Sequence, residues 1–156
     1  MERREFIALL GGAAALLPAQ TNGASAHPGK SPDNKLAGSW SFVSSVNMRG
    51  DGTPVDRWGP TTTGMLMFDD NGHFSQIITG SESRMFGAKT YCAFGTYTFD
   101  AKAGILNLTF KGCSIAKTIG SVQERKIVTL TADELKYVNP LTASGTTAEV
   151  AWKRLA

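Results

Sequence analysis

The feature that most constrains this chain is a period of two. It starts with Trp40, Phe42, Ser44, Val46 and Met48 on one face and Ser39, Ser41, Val43, Ser45 and Asn47 on the other. Such alternation suits a half-buried antiparallel strand, and no segment carries an apolar stripe of helical spacing over three turns. Breaks rich in Gly, Pro and Asp divide the rest into strands expected at residues 64–69, 73–79, 91–99, 105–112, 122–131, 135–139 and 147–154. Asp70-Asn71-Gly72 is a strong turn signal, because Asn and Gly tolerate positive φ. A glycine bulge there sets Phe68 beside Phe74 on one side of the sheet. Left open, such a sheet exposes two edges; about eight strands joined in series instead close into a barrel whose interior is filled or holds one small ligand. The expected fold class is all-β, an eight-stranded antiparallel up-and-down barrel.

The segment ahead of this pattern is of another kind. Residues 1–26 run from Arg3-Arg4 through an apolar stretch, Phe6 to Leu17, to Ala24-Ser25-Ala26. Basic, apolar and small-residue regions in that order are those of a cleaved secretory signal. The apolar run is about a dozen residues, short of the roughly 20 that a membrane-crossing helix needs. Arg3-Arg4-Glu5-Phe6-Ile7 has the form of a twin-arginine export signal. Cleavage would leave about 130 of the 156 residues, the size of one domain. That domain comprises a flexible lead-in over 27–35, rich in breakers, and the barrel over 36–156. The expected location is periplasmic or secreted, as a monomer without stable membrane insertion. A formal charge of +3 with no run of like charges argues against a nucleic-acid surface.

Several motifs then follow in order. Gly38-Ser39-Trp40 places Gly-x-Trp on the first strand, and Trp152-Lys153-Arg154 places Trp-x-Arg on the last. Between them come Gly59-Pro60, Gly64-Met65-Leu66-Met67-Phe68, Asp70-Asn71-Gly72-His73-Phe74 and Phe94-Gly95-Thr96-Tyr97-Thr98-Phe99-Asp100. This series resembles the bacterial and fungal lipocalin-like domain family over residues 36–154. The resemblance implies a small barrel with an internal cavity and no shared catalytic constellation. It also implies structural roles for Trp40, which would plug one end of the barrel, and Arg154, which would lie across its ring. An arginine over an indole gains about 0.5–2 kcal/mol while its stem covers apolar surface.

Chemistry-bearing residues are sparse. The two histidines are His27, in the lead-in, and His73, which follows a turn and points outward on this register. No clustering of Cys, His and carboxylates suggests a metal site, no phosphate loop or nucleophile elbow occurs, and no cofactor is expected. Glu124 and Lys126 share a face with Val122, Val128 and Leu130, the expected inner face. There they would orient a polar ligand or shift each other's pKa; the competing reading leaves both solvated near the rim. With Tyr97 and Phe99 inside, opposite Leu108 and Leu106, the register sets Cys92 across from Cys113 on the outer face. Opposed positions suit a disulfide in an exported chain, closing a loop of about 22 residues worth about 3.4 kcal/mol.

The same register suggests a pocket. Ala93, Gly95 and Gly112 are small, while Ser44 and Gln76 put polar groups among apolar neighbours; Tyr91, Tyr97 and Tyr137 add hydroxyls. Arg57-Trp58 and Arg84-Met85-Phe86 lie in loops at the expected mouth. The leading expectation is an exported protein that binds a small, apolar or mixed-polarity molecule. The alternatives are an isomerase or cyclase that uses the cavity, and an envelope module or inhibitor that binds proteins through its loops.

Overall fold

The computed structural model describes residues 34–81 and 89–156. The signal over 1–26, most of the lead-in with His27, and Arg84-Met85-Phe86 fall outside the described residues. In chain order the strands are β1 (Gly38–Met48), the two-residue β2 (Pro54–Val55), β3 (Thr63–Phe68), β4 (His73–Thr79) and β5 (Thr90–Asp100). They continue with β6 (Ile105–Cys113), β7 (Val122–Leu130), β8 (Glu134–Asn139) and β9 (Thr147–Arg154), and a 3-10 turn, Ala116–Thr118, sits between β6 and β7. Apart from β2, which pairs only with the end of β1, each strand is antiparallel to the next, and β9 returns to pair with β1. The result is a closed eight-stranded antiparallel up-and-down barrel, whose wall strands are paired on both sides among the described residues.

One end of the barrel is solid. Trp40 is fully buried there and donates from Nε1 to the carbonyl of Leu36 at 2.9 Å, while the Arg154 guanidinium lies 4.0 Å from the centre of its ring. Arg154 also donates to the carbonyls of Ala37, Lys35 and Ala132, which ties the segment before β1 and the β7–β8 turn to β9. Phe68 pairs with Phe74 as expected, and Tyr97 meets Phe68 edge-on at 4.8 Å. Leu106, Leu108, Phe110 and Leu135 complete this packing. His73 is exposed, with Nδ1 3.0 Å from Asp69 Oδ2.

The register shifts at three places, and each shift turns a strand's faces over. On β1, Phe42 opposes Trp152 but Ser44 opposes Ala151, so Val43 is an extra residue and is exposed. On β6, Gly95 opposes Phe110 but Phe94 opposes Gly112, so Lys111 is the extra residue. On β7, Ile127 opposes Tyr137 but Thr129 opposes Lys136, which leaves Val128 extra and exposed. Each is a β-bulge, in which two residues on one strand face one on its partner.

These bulges overturn several expectations. Beyond Val43 the inner face of β1 is Ser45 and Asn47, and Ser44, with Val46, faces solvent. Before Val128 the inner face of β7 is Gln123, Arg125 and Ile127, so Glu124 and Lys126 lie exposed on the outer wall. Beyond Lys111, Cys113 opposes Ala93 and packs against the core, whereas Cys92 is exposed on the other face; both are free thiols. The expected Cys92–Cys113 disulfide is therefore absent, because one inserted residue puts the two thiols on opposite sides of the sheet. The bulge at Lys111 needs Gly95 opposite, since a Cβ there would come 1.9 Å from the Thr109 carbonyl oxygen.

Candidate functional site

The other half of the barrel holds a cavity of about 80 Å³. Its floor and walls come from β1, β4, β5, β7, β8 and β9: Ser45 and Asn47, Gln76 and Ile78, Tyr91, Gln123 and Arg125, Tyr137 and Asn139, Ala148 and Val150. Among the described residues, three connections roof it. In the first, Asp56 Oδ1 accepts from the backbone N–H groups of Trp58 and Gly59, at 3.0 and 2.8 Å. This turn swings Trp58 over the mouth, where its backbone rests on Gly80; a Cβ at Gly80 would meet the Trp58 carbonyl at 2.3 Å. In the second, residues 114–121 are pinned to the end of the core by bonds from Gly120 N to Phe110 O and from Phe110 N to Ser121 O, setting Ile115 and Thr118 over the opening. In the third, Thr142 closes on Thr146 through backbone and hydroxyl bonds, which presents Thr142, Ala143 and Ser144 to the cavity.

Arg125 dominates the electrostatics. It is 5% exposed and, among the described residues, is the only charged one lining the cavity. Its Nη1 donates to the Glu124 carbonyl at 2.9 Å and to Asn139 Oδ1 at 3.0 Å, and its Nη2 donates to Gln123 Oε1 at 2.9 Å. The Tyr137 ring centre lies 6.0 Å from the guanidinium carbon. Burial pulls the Arg125 pKa below its usual value, and the neighbouring tyrosines oppose that pull. Burial also raises Tyr91, with Cys113 adding to the effect, and raises Tyr137 against the opposing charge of Arg125. Both phenols are therefore neutral near pH 7 and able to donate.

Of the residues expected at a binding site, the structure gathers Trp58, Gln76, Tyr91 and Tyr137 around this cavity. It does not bring in Tyr97, whose hydroxyl donates to the Asp69 carbonyl at 2.7 Å and accepts from Asn34 at the solid end. Among the described residues, Arg57 flanks Trp58 without lining the cavity and its enclosed Nε has no hydrogen-bond partner; burial, with Arg49 nearby, lowers its pKa. Ser44, Glu124 and Lys126 stand outside. Sequence reasoning missed Arg125, Gln123, Asn139 and Asn47. The signal for the first two was the alternation Gln123, Arg125, Ile127, hidden because Val128 and Leu130 suggested the other face. Among the described residues no cluster of three or more His, Cys, Asp or Glu could hold a metal.

A cavity roofed by loops in a closed up-and-down barrel defines a class of protein by architecture rather than by chemistry. No protein-family model matches this sequence, and no curated protein does. Among solved structures the chain is similar to a lipocalin-like protein from Bacteroides uniformis ATCC 8492, at 17% identity and a TM-score of 0.46, over 78% of this chain and 99% of that one. It is also similar to bovine odorant binding protein in complex with a selenium-containing odorant, at 19% identity and a TM-score of 0.45, over 78% and 71% of the two chains. A de novo designed fluorescence-activating β-barrel matches at 10% identity and a TM-score of 0.45, over 78% and 94%. The barrel described above rests on this chain's own strand pairing.

Proposed function

We propose that this chain is an exported binding protein that holds a small molecule of mixed polarity in the loop-roofed half of its barrel. The observation that carries the reading is the cavity itself: Trp58, Ile78 and Val150 supply apolar wall, and Gln76, Tyr91, Tyr137 and Arg125 supply a few convergent polar groups. That mixture is the usual make-up of a ligand pocket. Size sharpens it. At about 80 Å³ the enclosed space is smaller than the roughly 150 Å³ apolar cavity that admits benzene in another protein. The occupant is thus compact, or it seats its polar end inside and passes the rest through the mouth. A surface groove lined by Val122, Pro140 and Leu141 continues from the cavity, sharing Thr118, Gln123 and Asn139 with it.

Glu124 and Lys126, the acid–base pair expected to serve a catalytic alternative, are both on the outer wall. Export rests on the composition of residues 1–26. Native mass spectrometry on protein purified from the cell envelope tests both halves. The expected spectrum shows a chain cleaved near residue 26 with a discrete small-molecule adduct lost on activation. A bare mass, from the native source and after soaking in small acids and alcohols, removes the binding reading. Full-length protein confined to the cytoplasm removes export.

A further inference from the structure

We infer that the molecule bound in this cavity is an anion, a small carboxylate whose head docks on Arg125; this deepens the binding reading above and rests on it. A buried charge is normally paired, because taking it from water costs several kcal/mol that only an opposite charge and good hydrogen bonds offset. Arg125 is buried, yet its acceptors among the described residues, the Glu124 carbonyl and the side-chain amides of Asn139 and Gln123, are all neutral. Among the described residues the ion pairs are His73–Asp69 and Lys136–Glu149, neither of which involves Arg125. The nearest acid in sequence, Glu124, faces away from the cavity.

The wall is also the wrong shape for a structural arginine. Arg154, at the solid end, spends its guanidinium on three backbone carbonyls and an indole face. Arg125 instead borders empty space, and its hydrogen bonds do not exhaust the five N–H donors of a guanidinium. The neutral hydroxyls of Tyr91 and Tyr137 border the same space. A planar fork flanked by neutral donors matches a carboxylate, which accepts two parallel N–H bonds and supplies the missing charge. The small enclosed volume suits such a head, with an apolar body leaving toward the groove.

The test is calorimetric titration of the intact protein with butyrate, octanoate and benzoate against 1-butanol, 1-octanol and benzyl alcohol, in chloride-free buffer. At least one acid should bind about tenfold or more tighter than its alcohol, a margin of about 1.4 kcal/mol. Arg125→Met should erase that margin, while Arg125→Lys, which keeps the charge and loses the fork, should retain part of it. Equal binding of acids and alcohols, or a margin that survives in Arg125→Met, overturns the inference and leaves the cavity reading standing. Binding of none of the six overturns both. Displacement by chloride, with no dependence on the organic body, means an adventitious ion only and also overturns it. Should Arg125→Met fail to fold, carbonyl-labelled acid decides by NMR. Bound to the unaltered protein, it should stay ionised to a lower pH than free acid, and an unshifted titration counts against the inference.

Discussion

The two halves of this barrel are built from the same eight strands and differ in almost everything else. Around Trp40 the register is regular, the side chains are large and apolar, and the one arginine is used up on carbonyls. Around Arg125 the strands arrive past three bulges, amides, hydroxyls and phenols stand among the apolar inward residues, and space is left over. The difference teaches that a closed barrel can divide its labour along its axis. One half holds the fold together, and the other, relieved of packing, is free to carry a buried charge.

Mutations that respect this division should have unequal costs. Trp40→Ala should be the most damaging, since emptying a fully buried indole site costs about 3–5 kcal/mol; urea unfolding that shows a loss under 1 kcal/mol would mean the solid half is not what holds the barrel. Gly95→Ala comes next, at about 1–3 kcal/mol, because the added methyl collides with the Thr109 backbone beside the β6 bulge. A near-neutral result would show that the bulge at Lys111 can be ironed out.

Alkaline titration probes both halves together. All three tyrosines, Tyr91, Tyr97 and Tyr137, have pKa values raised by burial above the usual 10.0. The folded state therefore keeps protons that the unfolded state releases above about pH 10. The stability this linkage provides is whole below that pH and falls as pH rises, by about 1.4 kcal/mol per pH unit for each fully buried phenol. Tyrosinate absorbance should appear in one step with unfolding. Early ionisation of Tyr91 or Tyr137 in the folded protein would show that the loop-roofed half is wet.

The smallest stability effect is expected at Arg125→Met. Losing an uncompensated buried charge should leave thermal unfolding within about 1 kcal/mol of the parent, or raise it. A loss as large as that of Trp40→Ala would make Arg125 a keystone of the fold and erase the contrast between the halves. Thiol labelling sharpens the same geometry: Cys92 should react in the folded protein, and Cys113, packed against the core, should react only as it opens.

What could be read from the sequence follows the same boundary. Period two, the turn at Asp70–Gly72, the Phe68–Phe74 pair and the pairing of Phe99 with Leu106 were all legible, because alternation within one strand is a local property. The placement of Arg154 across the Trp40 ring came from the family resemblance rather than from alternation. At Val43, Lys111 and Val128 the alternation restarts one residue late, and nothing in the local residue types announces it. A bulge is decided by the partner strand, as the need for Gly95 opposite Lys111 illustrates. Extending the phase of Leu130 backward through Val128 selected Glu124 and Lys126 and concealed Arg125. Extending the phase of Phe110 forward through Lys111 brought two thiols together that the sheet holds apart.

The pairing of β1 with β9 also sets when this molecule can become itself. The bond from Arg154 to the Ala37 carbonyl spans 117 residues, and contacts of such separation are the slow ones to make, because loop-closure entropy is spent before they return anything. Until β9 is in place, the ladders of β1 and β8 are both open, and each is a template for another chain. A nascent or truncated chain lacking residues 147–154 should therefore be caught as aggregate or chaperone client rather than as a smaller barrel. Its last strand is the clasp that turns a sticky ribbon into a closed barrel.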